Sequence, residues 1–134
     1  MFNYKTITSY EAACADQERD PLAEPDYSKC GLAPAQEQYH RSSFRWDIIR
    51  TSVNKDKEGN LWKPTPTERR YYFWAWINPD ANKRSGFGLS FVDVNFDDSI
   101  SGVASRLQFR DEPRTKFMFD TFPDLCEDIY IPQE

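Results

Sequence analysis

The chain holds a single histidine, His40, and three cysteines, Cys14, Cys30 and Cys126, with no C-x-x-C pair among them. A tetrahedral zinc site would need all four side chains to converge, and an odd number of scattered cysteines argues for reduced thiols rather than a disulfide framework. Cys14 and Cys126 read instead as small hydrophobes on apolar helix faces. Glycine is scarce, at five residues in 134, and neither G-x-x-x-x-G-K-[ST] nor G-x-G-x-x-G occurs, so no backbone cradle for phosphates is indicated. No apolar run approaches the roughly 20 residues that cross a bilayer. The opening "MFNYKTITSYEAACADQ" has neither the basic start nor the apolar stretch of a secretory signal. These absences point to a soluble cytoplasmic protein with no cofactor, no metal and no membrane partner.

Positive charge is also in short supply. Seventeen Lys and Arg stand against 22 Asp and Glu, for a net charge of −5 and a pI near 4.9, a field that repels polyphosphates unless the cations gather on one face. Nucleic acid is disfavoured as a partner. What the chain has in quantity is rings: 16% of residues are aromatic within a hydrophobic fraction of only 39%. Because rings bury more area each than aliphatic side chains, the core is expected to be few in residues and rich in aromatics. The length suits one domain spanning residues 1–134.

Punctuation and periodicity set out the elements. Phe2 to Ile7 reads as a short strand or extended arm, followed by a helix capped by Thr8 or Ser9. Pro21, Pro25 and "CGLAP" mark an ordered irregular segment up to Ala33. Pro34 opens a long helix with a broad apolar side, and Gly59 and Asn60 after it suit left-handed positions. Past the connector "LWKPTPT", anchored by Trp62, a strand runs from Arg70 to Ile77. Turn residues Asn78, Pro79, Asp80 and Gly86 make a hairpin to "FGLSFVDVNF". In that second strand Phe87, Leu89 and Phe91 alternate on one face and Val92, Val94 and Phe96 on the other, which calls for two covers or a bulge. A third strand is expected from Val103 to Phe109. A closing helix begins near Asp111 and is kinked or split by Pro123. The order predicts an α+β fold: a three- to four-stranded antiparallel sheet, with N-terminal helices and a C-terminal helix packed on one face.

Motifs for chemistry are weak. "DVNFDD" puts acidic or amide groups at the first, third and fifth places of a calcium loop, but Asp98 stands where glycine is required and Ala104 where a bidentate Glu is required. Solvated strand carboxylates are the favoured reading, with Asp97, Asp98 and Asp111 as a weaker ion-site alternative. His40 with Cys14 or Cys126 carries no nucleophile signature, and 22 acidic residues supply many accidental acid and base pairs. The chain is read as a non-enzyme.

The stretch "ERRYYFWAWINP" packs five aromatics into Tyr71 to Trp76. On a strand Tyr72, Trp74 and Trp76 point one way, and Tyr71, Phe73, Ala75 and Ile77 the other. With both faces apolar, a core strand covered twice is favoured over a stacking platform for bases. Candidate ligand-binding residues lie at the rim: Arg69 and Arg70 at the start of the strand, Tyr71 beside them, and Arg106 on the neighbouring strand. An arginine inside a strand is uncommon unless paired or facing a ligand. A salt bridge from Arg106 to Asp93, Asp97 or Asp98 is favoured over an anion site.

Six segments in order, "YKTITSYEAAC", "LWKP", "RYYFWA", "SGFGLS", "VASRLQF" and "FPDLCEDIY", are spread from residue 4 to residue 130. Together they resemble a family of small uncharacterised proteins encoded by phages and prophages of Bacteroides-type gut bacteria. Its pattern is an "IKTFEDAC"-like start, then "GWxPxW", "KYYPWF", "GSRLxFxS" and "FxDLY". Phe73 replaces the proline of that pattern, Ala104 a glycine and Cys126 a tyrosine. The resemblance implies a mobile-element origin without an activity, and it draws Trp62, Tyr71, Tyr72, Ser105 and Arg106 into the candidate set. The expectation is a non-enzymatic accessory protein that binds a host or phage component, either a protein partner or a small anionic ligand near Arg70, Tyr71, Ser105, Arg106 and Trp62. Alternatives are a self-associating virion or assembly component, in which case the chain is a homo-oligomer, and an enzyme of unknown type.

Overall fold

A computed structural model describes residues 1–65, 67–80, 82–83, 87–97 and 107–131. Ser9 opens the first helix, α1 (Tyr10–Asp16), its hydroxyl accepting the Ala12 N–H at 3.0 Å; this satisfies one of the donors that a helix start leaves orphaned. Upstream, the expected strand is absent: Tyr4–Thr6 form a 3₁₀ turn capped by the Asn3 side chain. Asn3 competes for local N–H groups more effectively than an isolated six-residue strand could find a ladder. The irregular segment is ordered as two further 3₁₀ turns, Pro21–Ala23 and Tyr27–Lys29, each opened by an aspartate cap.

The long helix, α2 (Pro34–Val53), starts with proline in its first turn, and the Gln36 side chain accepts the Ala33 N–H at 3.1 Å. It ends at Asn54, earlier than Gly59, which occupies a left-handed turn at φ +86° while Asn60 does not. Asp56 organises that turn by accepting the N–H groups of Glu58 and Asn60, both at 2.9 Å. The end of α2 is closed from a distance. Arg114 donates to the carbonyls of Val53 at 2.7 Å and Lys55 at 2.8 Å, placing a cation where the helix dipole is negative.

Two strands, β1 (Arg70–Pro79) and β2 (Phe87–Asp97), pair antiparallel. Their register slips between Trp74, opposite Asp93, and Ala75, opposite Phe91, leaving Val92 as the extra residue of a bulge. On the other side of β1, Tyr71 and Phe109 exchange both backbone bonds, at 2.9 and 2.7 Å. A third antiparallel segment therefore reaches the sheet at the last residue of the expected Val103–Phe109 strand; residues 103–106 of that strand lie outside the described residues. Asp111 caps α3 (Glu112–Thr121), and the Phe122–Pro123 step divides it from α4 (Pro123–Tyr130). The ring of Pro123 removes a donor and restricts Phe122, so the closing helix is in two pieces. The architecture is α+β.

The core is aromatic and small, as composition predicts. Trp46 of α2 sets its edge on Phe109 at 6.0 Å, and Phe73 of β1 meets Phe119 at 5.1 Å and Tyr130 at 4.5 Å. Ala13, Cys14, Ile49, Val53, Met118 and Cys126 complete it with no exposure. Buried polar groups stitch its far side: Asn54 donates to the Gln108 carbonyl at 3.3 Å and accepts the Arg110 N–H at 3.1 Å.

The expectation that β1 is covered on both faces fails. Phe73 is 1% exposed, but Trp74 is 40% exposed and Trp76 61%. The helices that pack on the sheet form one layer, with α3 lying on both strands, and one layer covers one face. The remaining row of β1 faces outward.

Candidate functional site

The hairpin joins the expected site to one that sequence reasoning missed. At its base, Trp62 donates its indole N–H to Glu68 at 3.2 Å, and Glu68 also accepts the Thr65 N–H at 3.1 Å. This ties the proline-rich connector to the start of β1. Arg69 lays its guanidinium over the Phe96 ring at 3.8 Å, and Tyr71 lies against the same ring at 6.2 Å. Arg70 is buried, at 7% exposure, and Tyr71 is half-buried. The structure thus brings Trp62, Arg70 and Tyr71 to one end of the hairpin, while Ser105 and Arg106 lie outside the described residues. So do Asp98, and with it the alternative ion site, and the proposed Arg106 salt bridge. Asp111 is engaged as the α3 cap and with the Arg114 guanidinium. Among the described residues no group of three potential metal ligands converges.

Further along, the outward face presents two stripes. From β1 come Tyr72, Trp74 and Trp76; opposite them in register on β2 lie Asn95, Asp93 and Ser90. The two indoles meet edge to face, with ring centres 5.7 Å apart and planes at 74°. Next along, Asn78 donates to the Ser90 hydroxyl at 2.6 Å. Asp93 and Asn95 are exposed. Towards the tip even the inward face emerges, with Ile77 half exposed, while Lys83 holds the turn to Glu127 of α4 at 3.1 Å. The ion pair raises the Lys83 pKa, chiefly through its hydrogen bond to Glu127.

A second concavity runs along α2. A groove of about 560 Å³ involves Tyr27, Tyr39, His40, Phe44, Asp47 and Ile129, and it adjoins one of about 420 Å³ that shares Tyr39, His40 and Ile129. His40 is exposed, stacked near-parallel on Tyr27 at 5.9 Å and edge-on to Tyr39 at 5.5 Å.

Of the three thiols, Cys30 is exposed and the other two have no such access. Cys14 and Cys126 are fully buried, and burial pushes the Cys126 thiol far above its ordinary range, with Glu127 adding to the shift. A thiol held protonated in an apolar core is a poor nucleophile. His40, on the surface among tyrosines, does not serve either one.

The outer face of the hairpin thus sets exposed aromatic area beside polar groups, with the packed core on the opposite face. No family model, curated protein or solved structure matches the chain. No described helix is long and apolar enough to cross a membrane.

Proposed function

We propose that the chain is a non-enzymatic accessory protein of phage or mobile-element type, acting in the host cytoplasm, that binds a host or phage protein through the outward face of the β1–β2 hairpin. One observation carries the reading: Trp74 and Trp76 stand side by side in solvent on a sheet whose opposite face is core. Exposed tryptophan is costly to leave in water and is the residue most enriched at the energetic centres of protein interfaces. Burial of Arg70 and the pairing of Tyr71 favour this face over a small-anion site at the hairpin base.

The test is affinity capture from host lysate with the wild-type chain and a Trp74→Ala/Trp76→Ala variant. The expected result is a partner retained by the first and lost by the second, with the melting temperature of the variant only a few degrees lower. A partner retained equally by both would refute the assignment to this face. Light scattering addresses the assembly alternative, since growth of the particle with concentration would make the same tryptophans a self-association surface.

A further inference from the structure

We propose that the Trp74–Trp76 face takes an arginine-bearing segment of the protein partner; this deepens the binding reading above and rests on it. The geometry of the rings limits the ligand first. Planes at 74° with centres 5.7 Å apart make a corner, not a platform. Bases and pyranose rings want flat or parallel aromatic surfaces, whereas a compact cation can sit in a corner and touch both rings.

The neighbours then select the charge. Asp93 is directly opposite Trp74 in the ladder and is exposed, and opposed residues on one face bring their Cβ atoms to about 5 Å. A guanidinium stacked on the indole is within reach of that carboxylate, and its planar fork of donors matches a carboxylate in a way that an ammonium does not. Asp93 Oδ1 and Asn95 Oδ1 each accept the N–H of the next residue at 2.8 Å and the Ser90 hydroxyl accepts from Asn78, so the second oxygen of Asp93 is the charged acceptor left for the guanidinium, and the net charge of −5 draws cations towards the chain as a whole.

The fold itself uses this contact repeatedly. Arg45 lies over Tyr10 at 4.8 Å, Arg69 over Phe96 at 3.8 Å, Arg114 over Tyr4 at 4.5 Å and Lys55 over Phe2 at 5.7 Å. Tryptophan is the best of the aromatic acceptors for a cation. Yet among the described residues no cation lies over either Trp74 or Trp76.

The experiment follows the indole N–H signals of the full chain by NMR, each assigned by a Trp→Phe variant. The probes are an arginine–glycine repeat peptide and its citrulline counterpart, which keeps the shape and removes the charge. The arginine peptide is expected to shift the Trp74 and Trp76 signals, with affinity falling as salt rises; the citrulline peptide is expected to leave them in place. Trp74→Ala and Trp76→Ala should each weaken the arginine peptide by roughly two- to fivefold, and Asp93→Asn by a similar factor. Equal response to both peptides, response to neither, or a response to a neutral oligosaccharide instead would overturn the proposal. Movement of the same signals on dilution alone would assign the face to a second copy and overturn it too. Partner capture that requires Trp74 and Trp76, but that the arginine peptide does not compete, would sink this inference and leave the proposed function standing. Capture indifferent to both tryptophans would remove the function first.

Discussion

Phe73 and Trp76 lie on the same strand, three residues apart and on opposite faces, and truncating each to alanine tests the one-sided sheet directly. Phe73 is 1% exposed and touches two rings, Phe119 at 5.1 Å and Tyr130 at 4.5 Å. Phe73→Ala loses the transfer energy of a whole ring and leaves a cavity between β1 and the closing helices, about 3–5 kcal/mol in sum. Against a typical domain stability of about 5–15 kcal/mol, that removes about a fifth or more, and it should lower the melting temperature by roughly 10–20 °C. Trp76 is 61% exposed, and its ring contact is with Trp74. Trp76→Ala forfeits strand propensity and one exposed ring contact, about 1 kcal/mol. Urea unfolding of both variants, with the slope checked against wild type so that midpoints can be compared, measures the difference. Costs equal to within about 1 kcal/mol would mean that the outer face is covered as the inner one is. The reasoning that places the binding surface there would then be wrong.

Two more outcomes follow from the core and its edge. Asn54→Ala removes the link from the end of α2 to Gln108 and Arg110: the Gln108 carbonyl keeps the Arg50 guanidinium at 3.0 Å, but the Arg110 N–H loses its acceptor, so a loss of about 1–3 kcal/mol is expected by denaturant melt. A surface-like loss of a few tenths would contradict the burial of that link. Tyr10 has its hydroxyl pKa pushed up from 10.0 to about 12, by burial first and by the Cys14 hydrogen bond second. The folded state holds that proton more tightly than the unfolded one, so the Tyr10 contribution is intact below pH 10 and is lost as pH rises through about 12. Tyr10→Phe should flatten the fall in urea midpoint across that window, and an unchanged slope would show that the hydroxyl is not the group responsible.

Local chemistry carried most of the helical half. Ser9, Pro34, Asp111 and Pro123 act through donors and ring geometry within a few residues, so their roles as caps, starts and break are written where they stand. The strands were legible as strands because aromatics and β-branched residues cluster between turns. Which face of β1 would be covered was not, since alternation gives two apolar faces and says nothing of how many layers exist to meet them. The signal available was arithmetic between elements: one set of closing helices can cover one side of a sheet. The depth of Arg70 was equally hidden, because an arginine in sequence shows its charge and not its burial. Tyr71 meets the segment beyond β1 through its backbone pairing with Phe109.

The bulge at Val92 fixes more than a local bend. Leu89 pairs with Ile77 and Val94 with Phe73, so residues five apart, an odd interval that would separate them in a regular strand, come to the same face. Parity along β2 therefore depends on that one surplus residue. The loss or gain of a single residue there would exchange inside for outside along half the strand. In evolutionary terms the segment is locked in length, so viable descendants of this chain should differ there by replacement, or by steps of two, and not by one.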